Sequence, residues 1–234
     1  MSVHRLQQFA TLDGCQLWLV DLDAPALPQE FDDLSAEELA RAGRFSFARH
    51  RTRFLAGRAA LRRLLARHLD RSPATLALGY GAHGKPFLQD SPAPAFNLSH
   101  SEGIGLVALL DARSGAAIAA IGVDIEVLRP LPDAPDLAAA NFEPAECDQL
   151  GQMCEPERSK AFLVGWTRKE ACLKALGSGF SGPTRLATGL GLEAGVVAWK
   201  HGAASVRSFE LPAQGAVASL ARLQDACAPS LAPS

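Results

Sequence analysis

Asp124 and Glu126 stand two residues apart in I121-G122-V123-D124-I125-E126, and a strand would put them on one face with Val123 and Ile125 on the other. Two carboxylates so placed repel each other and lose hydration, so the pattern calls for a cation between them: arginine, lysine or metal. A second charged cluster lies in W166-T167-R168-K169-E170-A171-C172-L173-K174, where helical spacing stacks Trp166, Glu170 and Lys174. Taken alone, Glu170 and Lys174 would be an ordinary surface i,i+4 pair, and Asp124 and Glu126 a solvated strand face. Together, three carboxylates from a strand and a helix match a hard divalent cation, which takes oxygen ligands and is completed by substrate phosphates. Lys174 beside them suits a phosphate that the ion does not fully neutralise. The implied substrate carries a phosphate or diphosphate.

Other groups support phosphate chemistry. Ten of the 23 Lys and Arg residues fall between Arg41 and Arg71, against one acid, Asp70. Arg62, Arg63 and Arg67 read as a solvated helix face. Nucleic acid is not expected, because no stacking platform accompanies the arginines. In H83-G84-K85-P86 the glycine and proline would hold Lys85 out on a rigid arm. In F96-N97-L98-S99-H100-S101, Ser99 and His100 point opposite ways on a strand and cannot form a serine-histidine relay. His100 is better cast as a phosphate or base contact.

The elements that must position these groups follow from periodicity and breakers. CQLWLVDL (15–22) reads as a first strand, and APALPQ (24–29) cannot continue it. A helix begins near Ser35, which with Glu38 fits a capping box, and it leads into an amphipathic helix with Phe54, Leu61, Leu65 and Leu69 on one face. Runs 104–110 and 118–126 predict an antiparallel pair across DARSGAA. Helices are expected over 137–154 and 157–176, strands near 76–80, 189–199, 206–211 and 216–222, and a loose tail in the last dozen residues. The order fits an α+β chain of two similar halves, with mixed or antiparallel sheets, divided into 1–114 and 115–234.

The 48% hydrophobic content is enough for a folded core, and a net charge of −2 gives no global pull toward nucleic acid or membrane. No apolar run reaches the length of a membrane span, and the N-terminus lacks a signal-peptide core, so a cytoplasmic protein is expected. Five cysteines (15, 147, 154, 172 and 227) are odd in number and scattered, predicting reduced thiols; Cys172 has no activating base at helical spacing.

The ordered set G-K-P (84–86), F-N-L-S-H-S (96–101), G-V-D-I-E (122–126) and W-T-R-K-E-A-C-L-K-A (166–175) resembles the 4′-phosphopantetheinyl transferases, over about residues 35–179. It is most similar to the longer, monomeric kind that activates fatty acid, polyketide and peptide synthases and siderophore pathways. The resemblance implies two α+β halves meeting at a cleft, coenzyme A as co-substrate, and a serine of an apo acyl, peptidyl or aryl carrier protein as acceptor, with release of 3′,5′-ADP. It implies magnesium on Asp124, Glu126 and Glu170, diphosphate on Lys174, and a basic contact from Lys169. Lys85, Ser99, His100 and Arg41 would hold the nucleotide end. Glu170, or a metal-bound water that it orients, would take the serine proton, with Glu146 an auxiliary carboxylate. The carrier would dock near 127–141. Manganese suits the same ligands.

Two departures accompany the resemblance: Glu38 stands where some relatives have a second basic residue, and Phe54 where they have a hydroxyl. Arg44, Arg51 or Arg53 would then compensate at the 3′-phosphate. The competing readings are a magnesium-dependent nucleotide or phosphate hydrolase and a catalytically silent carrier-binding module.

Overall fold

The computed structural model describes residues 5–26, 28–89, 93–110, 118–177, 186–199 and 202–224. The turn expected over 111–117, the boundary at 114/115 and the C-terminal tail lie outside the described residues. The chain is α+β, with one four-stranded antiparallel sheet from each half.

Strands β1 (Leu6–Leu12) and β2 (Cys15–Asp21) form a hairpin that the sequence reading missed. Asp13 (φ 49°) and Gly14 (φ 78°) make its turn, both with the positive φ that a two-residue hairpin favours. Helices α1 (Pro28–Asp32), α2 (Ala36–Ala42) and α3 (Ala48–Leu69) follow, then a short pair, β3 (Leu78–Tyr80) and β4 (Pro86–Leu88). The capping box at Ser35 and Glu38 is present, but the helix it starts ends at Ala42 rather than running into α3. Strands β5 (Ala95–Ser101) and β6 (Ile104–Leu110) complete the first sheet, in the order β1-β2-β6-β5. Its outer face carries α3 through Leu61, Leu65, Val107 and Leu109.

The second half opens with β7 (Ile118–Val127). The expected pairing of 104–110 with 118–126 does not occur: both edges of β6 are taken, by β2 and β5, so β7 pairs instead with β10 (Ala216–Gln224). The single helix expected over 137–154 is two, α4 (Ala134–Asn141) and α5 (Pro144–Gly151), broken where Pro144 cannot donate. Helix α6 (Glu157–Leu176) leads to β8 (Gly195–Trp199) and β9 (Gly202–Leu211), giving the order β7-β10-β9-β8. On β7, Ile121, Val123 and Ile125 pack with Leu17, Leu19 and Leu106 of the first sheet, so the alternate residues Gly122, Asp124 and Glu126 lie on the opposite side of the strand.

Arg62 is not solvated. It is 1% exposed, donates from Nε to the equally buried Glu38 at 2.6 Å, and caps the carbonyls of Pro73 and Leu76. Breaking such a pair on one side costs about 3–5 kcal/mol. Glu38, placed where a cation was looked for, is thus a structural anchor joining α2 to α3. Arg63 reaches Asp33, and Arg67 lies over the Trp18 ring. Cys15, Cys147, Cys154 and Cys172 are free thiols.

Candidate active site

Helix α6 approaches β7 so closely that a Cβ on Gly122 would overlap Ala171 O and Ala175 N, with Lys174 C at 2.9 Å. That approach brings Lys174 Nζ within 2.5 Å of Asp124 Oδ1. Ser99 Oγ donates to the same carboxylate oxygen at 2.7 Å and lies 2.9 Å from Lys174 Nζ. Asp124 is 4% exposed, and the cation in contact with it is Lys174, while Glu126 pairs with Arg129.

Ser99 belongs to a seam between the halves. Strands β5 and β7, in different sheets, run side by side and are bridged by side chains: Asn97 Oδ1 accepts from Val123 N at 2.8 Å, and Ser101 Oγ accepts from Val127 N at 3.1 Å. Ser101 Oγ also donates to Glu126 at 2.8 Å. Asn97 and Ser101 were not singled out from the sequence, although period-2 alternation in F-N-L-S-H-S places them on the face of Ser99.

The acids are not a finished cage. Among the described residues no three His, Cys, Asp or Glu side chains are gathered so as to hold a metal. Asp124 is turned to Lys174 and Ser99, and Glu126 to Ser101 and Arg129. The donor set nevertheless fits a hard divalent cation. Asp124 Oδ2 is buried with no hydrogen-bond partner. Burial raises the Asp124 carboxyl, with Glu126 adding to the rise; burial and the Asp124 charge raise Glu170. All the atoms offered are carboxylate oxygens, the ligands magnesium and manganese take.

Glu170 and Lys174 line a cleft of about 520 Å³ together with Arg41, Arg58, Lys85 and His100 of the first half. His100 is pulled below the ordinary imidazole range by lost hydration in the cleft and by the Lys174 and Arg53 charges. Lys85 is not held out on an arm. Its ammonium turns inward and donates to Ile121 O at 2.9 Å and Lys174 O at 2.6 Å, tying the 81–85 loop to the end of α6. Burial pulls it from the ordinary 10.5 down to about 8. Folding therefore favours the neutral amine, so stability rises as pH climbs through this window, where the unfolded chain binds more protons. Between pH 8 and 10 the melting temperature of the wild type should gain on that of Lys85→Met; parallel curves would remove this account.

Two expected site residues are elsewhere. Lys169, one residue before Glu170, is buried and its ammonium donates to Asn141 O, because a single step along a helix turns the side chain about 100°. Glu146, cast as an auxiliary carboxylate, is engaged by the backbone: it accepts from Thr188 N at 2.9 Å and Gly189 N at 2.7 Å and closes the α5 capping box. Arg53 is committed to Asp23 at 2.7 Å and to Glu102 at 3.2 Å. Burial pushes the Cys172 thiol up to about 12, consistent with an inert side chain.

Residues 120–222, which carry Asp124, Glu126, Glu170 and Lys174, match the family described as the 4′-phosphopantetheinyl transferase superfamily. Residues 26–110, which carry Arg41, Lys85, Ser99 and His100, match the 4′-phosphopantetheinyl transferase N-terminal family. The chain is 41% identical over 174 residues to the 4′-phosphopantetheinyl transferase HetI of Nostoc sp., covering 72% of this chain and 71% of that protein. It is 42% identical over 169 residues to a putative 4′-phosphopantetheinyl transferase of Synechocystis sp., covering 71% and 66%. With a 4′-phosphopantetheinyl transferase of Bacillus subtilis it shares 30% identity over 172 residues, covering 72% and 73%. Both halves of the cleft thus fall within matched regions, and the chain belongs to the 4′-phosphopantetheinyl transferase family.

Proposed function

We propose that the protein moves the 4′-phosphopantetheine arm of coenzyme A to a serine of an apo carrier protein, releasing 3′,5′-ADP, as a holo-carrier-protein synthase. The observation that supports this best is the Lys174–Asp124–Ser99 contact, which joins the two halves at a cleft lined by Glu170. In the reaction the serine Oγ bonds to the phosphorus bearing pantetheine, and the bond from that phosphorus to the departing 3′,5′-ADP breaks. Glu170 accepts the serine proton. Lys174, held by Asp124 and Ser99, stabilises the negative charge that grows on the leaving diphosphate oxygen. Asp124, Glu126 and Glu170 would hold Mg²⁺, or Mn²⁺ in its place, which when bound supplies Lewis-acid stabilisation of the same charge.

The first half would take the nucleotide end of coenzyme A, through Arg41 and His100 in the cleft wall. Lys85 and Ser99 act there as positioning residues, because their polar atoms are already engaged by the protein. The carrier would dock along 127–141, where Leu137 is exposed on α4. No helix among the described residues is long and apolar enough to cross a membrane. A monomer working in the cytoplasm on fatty acid, polyketide, peptide or siderophore synthases is the setting this reading expects.

The test is intact mass spectrometry of several apo carriers incubated with the protein, coenzyme A and Mg²⁺. A gain of one phosphopantetheine on the carrier serine, lost on chelation, is the expected result. Consumption of coenzyme A with no carrier modified would instead favour the hydrolase reading, and binding without either would favour the silent module.

A further inference from the structure

Two serines of β5 hold two carboxylates of β7. Ser99 Oγ donates to Asp124 Oδ1 at 2.7 Å, and, two residues further along, Ser101 Oγ donates to Glu126 Oε2 at 2.8 Å. A cation meets each of the same oxygens: Lys174 Nζ lies 2.5 Å from Asp124 Oδ1, and Arg129 Nη1 lies 3.3 Å from Glu126 Oε2. Among the described residues the hydrogen bonds to each acid fall on one oxygen, which leaves Asp124 Oδ2 and Glu126 Oε1 for an ion.

The two groups that hold Glu126 differ in kind. Arg129 has a side chain 51% exposed, and an exposed ion pair of this sort contributes little. Its charge also competes with a divalent cation for the carboxylate. Ser101 is 8% exposed and neutral, so it can keep one oxygen of Glu126 while a cation takes the other. Ser101 is itself fixed. Its Oγ accepts from Val127 N at 3.1 Å, and the single proton that a hydroxyl can give goes to Glu126. The backbone of β7 thus orients the serine, and the serine orients the neighbouring glutamate. Glutamate side chains are rich in rotamers, and fixing one ahead of the ion removes an ordering cost that would otherwise weaken binding.

We propose that Ser101 is a positioning residue for the metal: by holding Oε2 of Glu126 it presents that carboxylate in a fixed orientation and so sets the affinity for Mg²⁺. This rests on the transferase reading above, with Asp124, Glu126 and Glu170 as ligands, and adds to it a residue that acts through Glu126. Asn97 supplies the control. Its Oδ1 accepts from Val123 N as Ser101 Oγ accepts from Val127 N, each pair twenty-six positions apart. Its side chain makes no hydrogen bond to a site carboxylate among the described residues, so it separates a loosened seam from a loosened glutamate.

The test is Mn²⁺ binding, followed by electron paramagnetic resonance of the free ion with coenzyme A present and no carrier. It compares the wild type with Ser101→Ala, Ser101→Thr, Asn97→Ala, Arg129→Gln and Glu126→Gln. Ser101→Ala should weaken Mn²⁺ about tenfold, the lower end of the range for losing a group that orients a metal ligand. Ser101→Thr keeps the hydroxyl and should recover most of the loss, and Arg129→Gln should bind no more weakly than the wild type. In the carrier assay Ser101→Ala should need about tenfold more Mg²⁺ for half-maximal transfer, yet approach the wild-type rate once Mg²⁺ saturates. Partial unfolding would lower the number of Mn²⁺ sites and leave the Kd of those remaining unmoved. Wild-type Mn²⁺ affinity in Ser101→Ala would overturn the proposal. Equal weakening in Asn97→Ala would do so too, by assigning the effect to the seam, as would equal weakening in Arg129→Gln, by assigning it to charge. If Glu126→Gln binds Mn²⁺ like a wild type that still modifies a carrier, Glu126 is no ligand and the proposal falls while the transferase reading stands. A wild type that binds no Mn²⁺ and modifies no carrier would sink both.

Discussion

Lys174→Met should slow arm transfer by about 10²–10³-fold, the loss seen when one preorganised charge stabiliser is removed from a transition state. The variant should also be less stable, because Lys174 Nζ is the cation in contact with a carboxylate that is 4% exposed. Without it, Asp124 keeps one donor, Ser99 Oγ, on Oδ1, while Oδ2 already lacks a partner. Leaving that acid unpaired costs about 1–3 kcal/mol, moderated by the solvent that reaches Lys174, whose side chain is 30% exposed. The double variant Lys174→Met, Asp124→Asn should regain most of the stability and none of the activity. Urea midpoints for the four members of this cycle, with the carrier assay beside them, separate the two effects. Retention of more than about a tenth of wild-type turnover by Lys174→Met would remove this lysine from the charge-stabilising role; a double variant no firmer than the single would show that the loss is packing rather than an unpaired charge.

The site was legible where local period and chemistry coincide. Asp124 and Glu126 share a face of β7 because a strand alternates, and Glu170 lies one turn from Lys174 because a helix repeats near 3.6. Where the outcome depends on how elements pack, it was not. Arg62 has the composition of a surface residue, and only the placement of α2 against α3 supplies Glu38 as its buried partner. Arg58 is one arginine in a run of ten, and its sharing of the cleft wall with Arg41 crosses the break between α2 and α3, where helical spacing has no meaning. Lys85 reads as an exposed loop lysine until the C-terminal end of α6 is brought to it.

The fold divides in the same way. The α+β class and the two-half order follow from element order, yet the partner of each central strand does not. The runs 104–110 and 118–126 are β-prone and near in sequence, which locally favours a hairpin. The outcome was set by competition: β2 and β5 occupy both edges of β6, so β7 founds a second sheet. This failure of local reasoning matters for function. Had β7 paired with β6, the side chains of Asn97, Ser99 and Ser101 would not bridge a seam, and Ser99 would not meet Asp124 and Lys174 together.

Gly122→Ala is expected to damage the protein more than any other single methyl group discussed for it. The added Cβ would overlap two backbone atoms of α6, Ala171 O and Ala175 N, which cannot rotate away as a side chain would. Overpacking of this kind costs about 1–3 kcal/mol and more where backbone must shift. The relief available is a displacement of α6 from β7, and α6 carries both Glu170 and Lys174. A movement near 1 Å at a reacting centre costs about 10²-fold in rate, so a folded fraction of the variant should still be nearly inactive. Gly151→Ala supplies the contrast, because nothing lies within 4 Å of its Cβ and the change should leave melting temperature and turnover close to wild type. Thermal melts and the carrier assay on the two variants decide the point. An active, stable Gly122→Ala would mean that α6 tolerates a wider gap, and the close contact of Lys174 with Asp124 would then be dispensable for transfer.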